Sequence, residues 1–375
     1  MGIALQKTIA FLLLIGIGVL LKKKVTSKEQ LKGIKALILS IALPATIFIA
    51  LLKIEIQPSL MLLPVLALAA NFLLLGGTKI FTKIAGISSN SPKARTLLML
   101  VPSFAPGLSC FPFVVEFLGD ESLAMAAFAD VGNKIFVLII LYIVAMRWYY
   151  KLLAKKSTEV ASNNSRLKDL GLSLLREPIN LVLVAAILML CFGLNFASLP
   201  NFLQDTISRM SLLMTPMVLL FIGIAVKLRK GDIKMMLQIL FWRSGFAFLI
   251  SAGLLMVLPS DLPTYMLLLA VAFPQSACSF WPFAHMTAVE SLEKDKENVQ
   301  TFNLDLALNM LAFSLPFSTI IILTICASGD VFANTFTVTS LGVVFLVVAL
   351  LPFLLKAKNG VKNVLSYEKV VTSDS

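Results

Sequence analysis

The side chains able to do chemistry are few, and they lie in apolar runs. Asp130 and Lys134 stand four residues apart, so on a helix they share a face and can pair. Asn133 adjoins Lys134, and Asp305 and Asn309 repeat the same spacing in a later apolar run. An ionisable group inside a membrane costs about 2.5 kcal/mol or more on insertion scales, so a functional role is the first expectation for each. The chemistry on offer is charge pairing, proton carriage and anion holding. Asp305 has no cation near it in the sequence. It is therefore expected to face the same site, carrying a proton or balancing Lys134. The structural alternative is an ion pair that only locks a helix bundle. Glu116 and Arg243 are read as lying near span ends, and the single histidine, His285, as structural. No glycine-rich phosphate loop, zinc-ligand spacing or Gly-x-Ser-x-Gly elbow occurs. An enzyme or an ATP-driven pump is not expected, nor is a cofactor or a metal.

Two further stretches share a pattern. Ser109-Cys110-Phe111-Pro112-Phe113 and Ser279-Phe280-Trp281-Pro282-Phe283 both read Ser-x-aromatic-Pro-Phe, and both follow other prolines, Pro102 and Pro106 in one case and Pro274 in the other. Proline removes a backbone donor and clashes with the preceding turn, so each apolar run is expected to be a helix broken near its middle. In hydrocarbon such a break is tolerated only against protein or a water-filled cavity, and one break per half of a chain points to a transporter's binding site. With Ser109 and Ser279 as N-caps, Pro112 and Pro282 fall in the first turn of a second half-helix, where no donor is needed. Two such N-termini facing each other would attract an anion. The candidate substrate-binding residues are Ser109, Pro112, Asn133, Lys134, Gln275, Ser276, Ser279 and Pro282. Asp130, Asp305 and Asn309 are candidates for coupling, and Pro44, Pro106, Pro216 and Pro274 for shaping the crossing.

The elements that must position these residues are membrane helices. The chain of 375 residues is 58% hydrophobic and only 14% charged, far from the composition of a soluble domain. Eleven spans are expected, at 4–21, 36–54, 59–80, 96–118, 122–148, 178–197, 206–226, 236–258, 264–288, 300–326 and 334–355. The net charge of +12 is distributed as topology demands. Lys7, Lys53 and Arg209 lie on one side, Lys134 lies inside a span, and the remaining lysines and arginines fall on the other side. By the positive-inside rule the N-terminus is outside and the C-terminus cytoplasmic, in a plasma membrane or bacterial inner membrane. The basic clusters are then topology signals, with anionic lipid headgroups as secondary contacts, and no nucleic-acid partner is implied. The four cysteines sit in apolar segments without CxxC spacing, which argues against a disulfide framework.

The second half of the chain echoes the first. Pro216 sits in the seventh span as Pro44 sits in the second, and each precedes the later motif proline, Pro282 or Pro112, by a similar interval. Five spans is an odd number, so the second copy must be inverted in the membrane. The expected fold is an all-α polytopic membrane protein of two inverted five-helix repeats, with crossing broken helices 4 and 9 and one extra C-terminal helix. The repeats occupy residues 1–150 and 178–328, a cytoplasmic linker 151–177, and the extra helix with a polar cytoplasmic tail 329–375.

Nearly the whole chain also resembles a known family. The residues that carry the likeness are Gly18-x-Leu-Leu-Lys-Lys-Lys24, Ile41-Ala-Leu-Pro44-Ala-x-Ile-Phe48, Gly119-Asp120-Glu121, Asp130-Val-Gly-Asn133, Leu175-Arg-Glu-Pro178-Ile-Asn180 and Ala272-Phe-Pro274-Gln275. They resemble the auxin efflux carrier family, the PIN-like or malate-type permeases, in the superfamily of the bile acid–sodium symporters. The resemblance implies a scaffold domain, a transport domain, elevator-like alternating access and a small organic anion as substrate. The expected function is a secondary active permease for such an anion, with Lys134 and the half-helix N-termini holding its charge. A proton or sodium ion is open as the coupling ion, and a homodimer is open as the assembly. The alternatives are a transport-fold membrane sensor and a sodium-coupled symporter of the bile acid type.

Overall fold

The computed structural model describes residues 3–25, 27–52, 58–154, 178–225, 233–259, 262–293 and 300–352. The linker residues 155–177 and the tail 353–375 lie outside the described residues. Among the described residues the chain is helical and contains no strand. Seven helices are long and apolar enough to cross a membrane: Glu29–Leu52, Leu62–Ile84, Asp120–Leu153, Asn201–Ile224, Ile233–Val257, Leu304–Ala327 and Thr335–Pro352. The other apolar runs form shorter or divided helices.

Local sequence sets where the helices begin and end. Helix α1 spans Ile3–Leu21. Helix α2, Lys28–Leu37, opens on a capping box in which Ser27 and Gln30 satisfy each other's backbone N–H groups. It continues through a π-helical turn at Ile38–Ala42 into α3, Leu43–Leu52. The wider turn accommodates Pro44, so the helix runs on where a sharp kink or interruption is expected from the proline alone. Next come α4 (Leu62–Ile84), α5 (Pro92–Leu100), α6 (Pro106–Ser109), α7 (Phe111–Leu118), α8 (Asp120–Lys134) and α9 (Leu141–Ala154). A second π-helical turn, Ile135–Ile140, joins α8 to α9 directly after Lys134. Between α7 and α8 the chain turns at Gly119, whose φ of 89° suits glycine.

Beyond the linker lie α10 (Pro178–Cys191), α11 (Asn201–Leu212), α12 (Met214–Ala225) and α13 (Ile233–Val257). They are followed by α14 (Thr264–Ala272), α15 (Trp281–Glu293), α16 (Leu304–Ala327) and α17 (Thr335–Pro352). Pro216 falls in the first turn of α12, where its missing donor costs nothing.

Large apolar side chains such as Leu13, Leu20, Val65, Phe202, Ile320 and Val344 face outward, as lipid contact requires. The inward apolar residues form two clusters. Phe104, Phe111 and Phe273 belong to one, and Val101, Phe136 and Cys278 to the other. The buried polar groups include Asn71, Ser103, Asp130, Asn133, Arg243 and Gln275.

Helices approach most closely where glycine removes the side chain. Helix α1 lies along α12, and Gly18 meets Gly223 there at backbone contact. In a membrane, close packing of small residues supplies much of the association energy. A Cβ at Gly223 would run into the carbonyl of Ile15 and the Cα of Gly18, whereas a Cβ at Gly16 meets open space. Gly223→Ala is therefore expected to lower the melting temperature of the purified protein, with an overpacking cost of about 1–3 kcal/mol. Gly16→Ala is expected to leave it unchanged, and a thermal unfolding series in detergent compares the two.

Candidate functional site

Helix α5 ends at Leu100, and regular helix resumes only at Pro106, which takes the first position of α6. Helix α14 ends at Ala272 and passes through a 3-10 turn, Phe273–Gln275. The chain is then non-helical until α15 begins at Trp281. In apolar surroundings every backbone group freed in this way needs a partner.

The two non-helical segments supply each other's partners. The N–H of Ala105 donates to the carbonyl of Ala277 at 2.8 Å. The N–H of Ala277 donates to Ser109 Oγ, and that of Ser279 to Ser103 Oγ, each at 2.9 Å. Ser314 Oγ accepts from the N–H of Cys278 at 3.2 Å.

Side chains from flanking helices complete the network. Asn133 accepts from the N–H of Phe104 at 3.1 Å and donates to its carbonyl at 3.0 Å, so one amide caps both polar groups of one residue. It also donates to Asp130 Oδ1 at 2.8 Å. Asn71, from α4, donates to the carbonyl of Pro102 at 2.7 Å and to Asn133 Oδ1 at 3.2 Å. Arg243, from α13, is fully buried. It donates to the carbonyls of Val101, Ser103 and Ser276, and its side chain thereby ties both segments to a third helix.

A cavity of about 470 Å³ opens on one side of this network, within the size range of small-molecule sites. Its polar lining is Lys35, Asp130, Asn133, Lys134 and Ser279, and its apolar walls include Phe104, Phe280 and Leu311. Asp130 and Lys134 are both nearly fully buried, with Lys134 Nζ 3.6 Å from Asp130 Oδ2. Lys35 Nζ lies 4.3 Å from the centroid of the Phe280 ring, a cation–π distance. Among the described residues no carboxylate pairs with Lys35. The wall thus carries two ammonium groups and one carboxylate. That arrangement can hold an anion. Among the described residues no group of three or more His, Cys, Asp or Glu is placed to hold a metal ion.

Of the residues singled out from the sequence, Lys134, Asn133, Ser279, Asp130 and Pro106 line the cavity. Others have different roles. Ser109 is not an N-cap. The helix restarts three residues earlier, at Pro106, and the Ser109 hydroxyl instead donates back to the carbonyl of Ala105 at 2.8 Å. Pro112 and Pro282 are buried at the second positions of α7 and α15 and do not line the cavity. Gln275 donates to the carbonyl of Ser244 at 3.1 Å, and Ser276 to that of Phe273 at 2.6 Å, so both act within the network. Pro274 lies buried in the 3-10 turn, and Pro44 and Pro216 do not line the cavity, although Phe221 on the helix of Pro216 does.

Asp305 is exposed in the first turn of α16, behind its N-cap Asn303, and does not balance Lys134. An acid there complements the positive end of the helix. Asn309, one turn further on, is half-buried and does not line the cavity. His285 bonds the carbonyl of Val137 at 2.9 Å, a structural role.

Three residues were not marked by sequence reasoning as part of the site. Lys35 reads as one more basic topology residue, yet Leu31, Lys35 and Leu39 follow helical spacing and all reach the cavity. Arg243 reads as a span-end anchor. It is instead nearly mid-helix in Ile233–Val257, flanked by apolar residues, and that flanking was the available signal. Asn71 is a lone amide in an apolar helix, with no signal beyond its rarity there.

No protein-family model matches the chain, and no curated protein sequence is similar to it.

Asn133 offers a direct test of the network. Asn133→Leu removes the partners of Phe104 N–H and C=O while keeping a similar volume. Each buried group left unpaired costs about 1–3 kcal/mol. The expected outcome is a large loss of thermal stability, whereas Ser279→Ala, which leaves Ser279 N–H bonded to Ser103 and frees only the part-buried N–H of Trp281 from a 3.3 Å bond, produces a small one. Comparison of their melting temperatures decides.

Proposed function

We propose that this protein is a secondary active transporter that moves a small organic anion across a membrane, of the auxin efflux carrier type. The observation that carries the reading is the cavity beside the two non-helical segments, whose wall holds Lys35 and Lys134 against a single carboxylate, Asp130. Lys35 is held at this wall against the Phe280 ring, 4.3 Å from its centroid. The anion would bring the missing negative charge, and Phe104 and Phe280 would take its apolar part.

The inverted five-helix repeat is part of this proposal. In support of it, α1 of the first half packs on α12 of the second, and α10, the counterpart of α1, packs on α3, the counterpart of α12. Both non-helical segments follow a short helix rich in Leu and bordered by proline, as two copies of one plan would give. With the orientation expected from the positive-inside rule, Leu31, Lys35 and Leu39 lie at the cytoplasmic end of their span. The cavity they line would then face the cytoplasm, one of the two end states of an elevator cycle.

The test is uptake of radiolabelled organic acids into proteoliposomes, after a thermal-shift screen of purified protein has chosen the acids. Lys134→Ala is expected to abolish uptake while the protein still inserts and purifies. Lys35→Gln is expected to raise the KM for the acid, at least several-fold, with less effect on the maximal rate at saturation. Unchanged kinetics in both variants would remove the anion-site role. Saturable binding of an acid without counterflow would favour a sensor built on the same architecture.

A further inference from the structure

Three carbonyl groups from the two non-helical segments converge on one side chain. Arg243 Nε donates to the carbonyl of Val101 at 2.9 Å, and Nη2 donates to those of Ser103 at 3.1 Å and Ser276 at 2.5 Å. Val101 is the C-cap of α5, and Ser276 is the C-cap of the 3-10 turn that ends α14. The negative ends of two helices therefore point at a single guanidinium. Its central carbon also lies 5.6 Å from the centroid of the Phe104 ring.

Arg243 has no exposed surface, and among the described residues no carboxylate is paired with it. Its Nη1 is buried without any hydrogen-bond partner. An arginine stays charged in a protein, so the compensation it has comes from the carbonyl dipoles and the aromatic ring. A buried charge with so little compensation is expensive if its only task is to seal a loop.

In transporters with interrupted helices, unwound carbonyls and half-helix C-terminal ends are the groups that coordinate a coupling sodium ion. Here the same kinds of group meet a positive charge that is covalently part of α13. We propose that Arg243 is a resident cation, taking the position that a bound sodium ion would hold between these segments, so that the protein cycles without sodium. The inference rests on the transport reading and adds the nature of its coupling: the local positive charge is fixed and does not enter and leave with the substrate. The guanidinium is also a positioning residue, since it holds both non-helical segments in register for the cavity beside them.

The experiment needs no substrate, which separates its failure from failure of the transport reading. The full chain is purified, and its melting temperature is measured in sodium chloride and in choline chloride at equal ionic strength. Wild type and Arg243→Lys are expected to melt at the same temperature in both salts. Arg243→Met, which keeps length without charge, is expected to melt several degrees lower in choline and to recover part of that loss in sodium, because the vacated carbonyls accept the ion. A sodium-specific rise in the wild-type melting temperature would overturn the proposal. So would an Arg243→Met protein whose loss is the same in both salts, the result expected of a residue that only seals the backbone. If Arg243→Met does not fold, the wild-type comparison alone decides. In proteoliposomes, acid uptake by the wild type is expected to be unchanged when choline replaces sodium, and sodium-dependent uptake would contradict the resident cation while leaving transport intact.

Discussion

Backbone polar groups inside an apolar interior must be paired, and this requirement governs the centre of the molecule. Two segments leave helical geometry among residues of both apolar clusters, where each orphaned amide or carbonyl costs on the order of 1–3 kcal/mol. The chain meets the cost by bringing the segments together. Ala105 pairs with Ala277, Ser103 and Ser109 serve the opposite segment, and Asn133, Asn71 and Arg243 satisfy groups that remain. Other features of the centre follow from that junction. Three helices, α4, α8 and α13, must run beside it to deliver those side chains, and α4 packs on both α8 and α13.

The junction also explains why the cavity has its character. Side chains that seal the backbone point inward to the network, so they are not free to line a binding site. Gln275 and Ser276 are spent in this way. The charged and hydroxyl side chains that reach the cavity come from the remaining face of α8, carrying Asp130 and Lys134, together with Ser279 and Lys35 on the flank of α2. Asn133 serves both sides, with its amide on Phe104 and Asp130 and its residue on the cavity wall. The π-helical turn immediately after Lys134 alters the helical register there, a distortion often found at functional sites.

Much of the architecture is legible in the residue order, because apolar length and charge placement are properties of single segments. Ser27 with Gln30, Ser91 before Pro92 and Asn303 before Leu304 mark helix starts by local chemistry. Pro106 and Pro274 stand where helix geometry changes, for the same local reason. The direction a side chain faces is a different matter, since it depends on which helices become neighbours. Asp305 looks like a membrane carboxylate until its helix is found to begin at Leu304, directly before it. Lys35 and Arg243 are the reverse. Each resembles a charge anchoring a span end, and the helix that holds it extends further than the apolar run suggests. Only the packing of α13 against the two non-helical segments turns Arg243 from an anchor into a central cation.

The central claim is that an organic anion occupies the cavity beside the junction, and labelling at its wall tests this most directly. Leu39 lines the cavity and is half-buried. Leu39→Cys can be introduced after Cys110, Cys191, Cys278 and Cys326, all free thiols, have been replaced. Its rate of reaction with a membrane-impermeant maleimide is then followed across a panel of aliphatic and aromatic mono- and dicarboxylic acids. The account predicts that at least one acid slows the labelling saturably, and that the protection disappears when Lys134→Ala is added. Labelling at one constant rate, whatever acid is present, would contradict it.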